Sequence, residues 1–193
     1  VSRIPLASKP EMFDHILTNT DWDGIISGAL LKNFSPLAKV EVTTPRGIRV
    51  ALRHLAKNPD KPHRLFITDI GISSEYLADI EDTLIDLNKA GVKIYWYDHH
   101  PWSPLSVETA ARDCADIIVD PKFRNAADIV HQRITGDDPY ADKLMRLINN
   151  KLEPEEEEWG KNWRLLILSV QSAPSYGDIV DLINNLASNR AFS

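Results

Sequence analysis

A single cysteine, Cys114, among 193 residues leaves no internal disulfide and no thiolate-built zinc site, and it suits a reducing compartment, so a cytoplasmic location is expected. Positive charge is also in the minority. Twenty-two Lys and Arg stand against 28 Asp and Glu, for a formal net charge of -6 and a pI near 5.5. That balance excludes a protein that coats nucleic acid by bulk charge, and any basic site must be local. Long apolar runs are missing as well. None approaches the roughly 20 residues that span a bilayer, and the N-terminus shows no signal-peptide pattern, so no membrane partner is expected. The length suits one domain with a real core rather than two.

What is present is an alternation of short apolar segments with amphipathic ones. This is the pattern of a parallel sheet covered by helices. Strands are expected at 13–18, 39–42, 64–68, 92–97 and 116–119, with helices at 25–33, 46–56 and 74–90, the last closed by Gly91 in a C-cap position. After about Asn125 the strand signal stops, and 126–133, 140–151, 155–172 and 179–188 read as helices. The expected fold is α/β: a Rossmann-like open parallel sheet with helices on both faces and a helical C-terminal portion. Residues 1–138 would form the α/β domain and 139–193 a helical extension of it. The acidic run Glu155–Glu158 reads as the first turn of a helix, facing the positive end of its dipole.

The chemistry-bearing residues fall at strand ends. "TNTDWDG" brings Asp21 and Asp23, "TDIGIS" brings Asp69, and "IYWYDHHPW" sets Asp98, His99 and His100 where Pro101 stops the ladder. In a parallel sheet these ends share one edge, so the acids can converge. Carboxylates crowded together stay ionised only when cations neutralise them. Carboxylate mixed with imidazole suits a divalent first-row ion, Mn²⁺ ahead of Mg²⁺. Two such ions about 3.5–4 Å apart would serve an in-line phosphoryl displacement, with Asp69, the lone acid of the middle strand end, as their bridge. Taken singly, Asp21 reads equally as a helix cap, Asp69 as a turn residue, and the histidines as packed or exposed side chains.

"DWDG", "TDIG" and "DHH", in this order and spacing, resemble motifs I, II and III of the DHH phosphoesterase superfamily, which includes RecJ exonucleases, nano-RNase oligoribonucleases, cyclic dinucleotide phosphodiesterases and family II pyrophosphatases. The likeness runs from about Phe13 to Ile134, and "VDPKFRNAADIVHQRI" resembles the region after motif III. The resemblance implies that Asp21 serves a first metal, Asp23 and His99 a second, and Asp69 both. It also implies that His100 faces the substrate phosphate and that Asp98 orients a histidine. Leu17 and Asn19 stand where the family often has metal ligands before motif I, and Asn19 could still offer its amide oxygen. For the motif IV aspartate the nearest equivalents are Asn149 and Asn150. The usual DHHA1 substrate-binding domain finds no room here, which leaves its place to a partner protein, a second copy or nothing.

Arg46, Arg49 and Arg53, at i, i+3 and i+7, form a stripe that could track a phosphate backbone or simply be solvated. Trp22 and Trp102 are placed to meet a base, although packing is the simpler role for most of the five tryptophans. Two functions remain open. One is a two-Mn²⁺ phosphoesterase acting on single-stranded DNA or RNA or on short oligonucleotides. The other is a catalytically degenerate RecJ-like scaffold or binding subunit of a replication or repair complex.

Overall fold

The β-branched and aromatic runs form five parallel strands in a computed structural model that describes residues 12–172 and 175–189. The strands are β1 (Asp14–Thr18), β2 (Lys39–Val42), β3 (Arg64–Thr68), β4 (Lys93–Asp98) and β5 (Asp116–Val119). Their order across the sheet is β2-β1-β3-β4-β5. The chain therefore leaves β1 in one direction to make β2 and returns across β1 to make β3. The resulting crevice between the carboxyl ends of β1 and β3 is a topological switch point, where open α/β sheets bind ligands.

Helices cover both faces because both faces of the central strands β1, β3 and β4 carry buried apolar side chains. On one side α2 (Ile48–Lys57), α3 (Leu77–Lys89) and α4 (Pro104–Ala111) lie over Leu17, Ile67, Ile94 and Trp96. On the other, α1 (Trp22–Phe34) and α5 (Ala126–Val130) lie over Ile16, Phe66 and Tyr97. The second half of the chain is helical. It contributes α6 (Pro139–Ile148), α7 (Glu157–Ser172) and α8 (Tyr176–Ala187), whose Leu144, Trp163, Ile167 and Ile183 join the same core as Ile16 and Leu30 of the sheet side. Each such fully buried aliphatic side chain contributes about 1.5–3 kcal/mol. No helix among the described residues is long and apolar enough to cross a membrane.

Helix starts shift by up to three residues from the sequence reading, as in α1 and α8, and further differences stand out. The link from β4 to β5 holds α4, which was not expected; Ser103 caps it through the Ser106 amide and Pro104 takes its first turn. The helix expected from Arg46 begins at Ile48 and leaves Arg46 in the preceding turn. The helix expected at 126–133 is α5 followed by a wider π turn, His131–Thr135. Gly91 has φ 87°, the left-handed conformation that closes α3.

Register sets up the site. Thr18 pairs with Thr68, and Thr68 with Tyr97. One residue further along these three strands stand Asn19, Asp69 and Asp98.

Candidate metal centre

Asp69 occupies the centre of this edge. Its amide still pairs with the Tyr97 carbonyl at 3.0 Å, but its φ of 58° turns the chain out of the strand. Aspartate tolerates that left-handed region better than most residues. The side chain is fully buried, and neither carboxylate oxygen has a hydrogen-bond partner among the described residues. Burial, reinforced by the negative charges of Asp23, Asp21 and Asp98, pushes its carboxyl up to about 11. A buried acid without a hydrogen bond is costly, and a cation is a group that would satisfy it.

The two histidines supply the rest of such a site. His99 Nε2 lies 3.5 Å from Asp69 Oδ1 and 3.3 Å from Asp23 Oδ2, so the ring sits between two carboxylates. His100 Nδ1 lies 3.8 Å from Asp69 Oδ1, and the two rings are 4.5 Å apart. Asp69, His99 and His100 each offer a ligand atom within 4.8 Å of the others. That donor set, one carboxylate and two imidazoles, fits one divalent ion.

The motif I residues are engaged differently. Asp21 is the N-cap of α1: its Oδ1 accepts the Gly24 amide at 2.9 Å, and its Oδ2 accepts the Asn19 side-chain amide at 3.1 Å. Asn19, expected to present its oxygen to a metal, has that oxygen on the Thr20 amide at 2.8 Å and so acts on Asp21 instead. Asp23 receives the first two amides of α5, Ala126 at 2.6 Å and Ala127 at 3.0 Å. Burial raises its pKa and outweighs those amides and His99, which lower it. Gly24 is required for close approach rather than for a bend: a Cβ there would meet the Asn19 carbonyl oxygen at 2.4 Å.

Asp98 is completely buried. His100 Nδ1 lies 2.8 Å from its Oδ1, and the Trp102 indole N–H donates to its Oδ2 at 2.6 Å. Trp102 thus turns its polar edge inward, and Trp22 is partly buried against the core beneath α1. Asn149 ends α6 and links Asn125 to Asp128, both at 3.4 Å, while Asn150 has φ 54° in the turn beyond. The arginine stripe is not a free face. Arg49 and Arg53 converge on Asp79 of α3 at 3.3 and 3.2 Å, Arg49 lies over the Tyr76 ring, and Arg46 is exposed in its turn.

Sequence reasoning missed two parts of this edge. The α5 amides that hold Asp23 were signalled by Asn125 and Asp128, an N-cap and an acid three residues on, before an apolar run. The Trp102 bond to Asp98 had no signal in spacing, because the direction of the chain after Pro101 decides it.

No family model matches the chain, and no curated protein matches it. Solved structures do. An uncharacterized protein from Helicobacter pylori G27 is 16% identical with a TM-score of 0.49, over 86% of this chain and 46% of that one. RecJ from Thermus thermophilus, in complex with Mn²⁺, is 16% identical with a TM-score of 0.44, over 70% and 20%. An exonuclease RecJ bound to manganese is 17% identical with a TM-score of 0.44, over 91% and 51%. The chain spans about half or less of the length of each.

Proposed function

We propose that this chain is a divalent-metal-dependent phosphoesterase that hydrolyses phosphodiester bonds of single-stranded nucleic acid or short oligonucleotides, with Mn²⁺ the preferred ion. The observation that carries the reading is the buried carboxylate of Asp69, without a hydrogen bond among the described residues, beside His99 and His100 at the switch point of the sheet. The order and spacing of DWDG, TDIG and DHH in the sequence also support it. A bound divalent cation supplies Lewis-acid activation of a phosphate ester and of the attacking water.

The chain's own residues do the rest. Asp69, His99 and His100 hold the ion, and Asp23 closes the far side of His99. His100, whose side chain is 45% exposed, stands on the solvent side where a phosphate arrives, and Asp98 fixes its ring. Asp21, held by Asn19 and Gly24, adds negative charge beside Asp69 and so raises the affinity of this edge for a cation. On a protein of net charge -6, the cation also offsets repulsion of a polyanionic substrate.

A second reading, a scaffold that has lost turnover, is favoured by one feature: both oxygens of Asp21 and both of Asp23 already accept hydrogen bonds, and Asn19 and Asn149 offer no charge. The deciding experiment incubates the protein with end-labelled single-stranded DNA and RNA oligonucleotides in Mn²⁺ or Mg²⁺, beside Asp69→Ala. Shortened products from the wild type alone, abolished by a chelator, support the phosphoesterase. No product on any substrate from folded protein, or equal cleavage by Asp69→Ala, overturns it.

A further inference from the structure

We propose that Trp102 is a positioning residue: its indole N–H locks the Asp98 carboxylate, which in turn holds His100 in the tautomer protonated at Nδ1 and leaves Nε2 as the one ring nitrogen able to ligate a cation. The consequence for catalysis rests on the phosphoesterase reading; the tautomer itself does not.

The argument begins with Asp98, which is buried at the end of β4 and has one donor on each oxygen. A carboxylate held at both oxygens cannot rotate freely, and the 2.6 Å Trp102 bond is of the short, charge-assisted kind. A carboxylate only accepts. The imidazole nitrogen it meets must therefore carry the proton, which leaves the lone pair on Nε2.

Trp102 is itself fixed. Its ring meets Trp96 edge to face at 5.1 Å, and the Trp96 indole donates to the Ile70 carbonyl at 2.9 Å, one residue beyond Asp69. Gly71 passes over the bond: a Cβ there would lie 3.4 Å from both Asp98 Oδ2 and Trp102 Nε1, so the loop after Asp69 shields this hydrogen bond from water. The ends of β3 and β4 are thus tied together through two indoles, and the tie ends on His100. A tryptophan serving only as filler would place ring atoms against Trp96 and leave its N–H toward solvent. Here the N–H points at the buried carboxylate.

The test uses metal-free protein labelled with ¹⁵N in its histidine rings and tryptophan indoles. At a pH where imidazole is neutral, long-range ¹H–¹⁵N correlations of wild-type His100 should show the proton on Nδ1, and the Trp102 indole proton should be shifted downfield and protected from exchange. Trp102→Phe keeps the edge contact with Trp96 and removes only the donor. It should release His100 into a mixture containing the tautomer protonated at Nε2. A purely structural role would lower stability and leave the tautomer unchanged. The wild-type measurements need no variant to fold. An Nε2-protonated wild-type His100, a Trp102 indole proton that exchanges like an exposed one, or an unchanged tautomer in Trp102→Phe each overturns the proposal. None of these readouts involves turnover, so a failure of the phosphoesterase reading would be seen separately, in the oligonucleotide assay.

Discussion

At the end of β3, Asp69 combines a left-handed backbone with a carboxyl group that burial and three neighbouring acids push up to about 11. In the unfolded chain the same group titrates near 3.9. Between those values the folded, metal-free protein binds a proton that the unfolded chain has lost. The contribution of Asp69 to stability is therefore greatest below about pH 4 and falls by up to about 1.4 kcal/mol per pH unit as pH rises toward 11. Asp69→Asn, which keeps the shape and tolerates positive φ, should remove that slope and make the metal-free protein more stable at neutral and alkaline pH. Urea unfolding in chelator from about pH 5 to about pH 9 tests this; parallel slopes for the two proteins would contradict it. Such a gain on neutralising a residue is what a site built for a ligand, rather than for the fold, should show.

At the scale of elements, the short helix α5 is the clamp on Asp23. Its first amides hold Asp23, and Asn125 caps it by accepting the Asp128 amide at 2.7 Å. Asn125→Ala should cost about 1 kcal/mol, read in urea unfolding, and should free Asp23 to move away from His99. An unchanged midpoint would mean that the cap contributes nothing. The same scale explains what was legible beforehand. The five strands could be read because apolar runs ended at Asp, Pro or Asn, and those ends located Asp21, Asp23, Asp69 and the DHH residues at one edge. Helix α4 escaped because "SPLSVETAA" has little apolar periodicity, and its real signal was Ser103 before Pro104. The arginine stripe shows the opposite failure. Its helical spacing was visible in sequence, but the approach of Asp79 from α3, which occupies Arg49 and Arg53, is a tertiary fact that no local pattern encodes. Asn19 likewise could be read as a ligand only while the Thr20 amide was out of view.

Across the whole molecule, acid stability depends on pairs far from the metal centre. The Arg146 guanidinium grips Glu156 through two hydrogen bonds, 2.9 and 2.6 Å, and brings its carboxyl down to about 2. Burial works against ionisation of Asp14, yet the hydrogen bonds of Arg64 and Ser35 prevail and lower it. Both groups have depressed folded values, so their contribution is present above the unfolded carboxylate range and is lost as pH falls through that range toward 2. Glu156→Gln should flatten the acid limb of a stability profile and leave the alkaline limb, set by Asp69, unchanged. An acid limb equally steep in the wild type and in Glu156→Gln would contradict this. The alkaline limb leads to the central claim, that the switch point between β1 and β3 holds a divalent cation on Asp69, His99 and His100. Isothermal titration of Mn²⁺ into the metal-free wild type and Asp69→Asn, near pH 7 in two buffers of different ionisation heat, tests it most directly. Saturable binding by the wild type with release of protons, because Asp69 must ionise to ligate, and loss of binding in the variant are the expected results. No binding by the wild type, or equal binding by Asp69→Asn, would contradict the account.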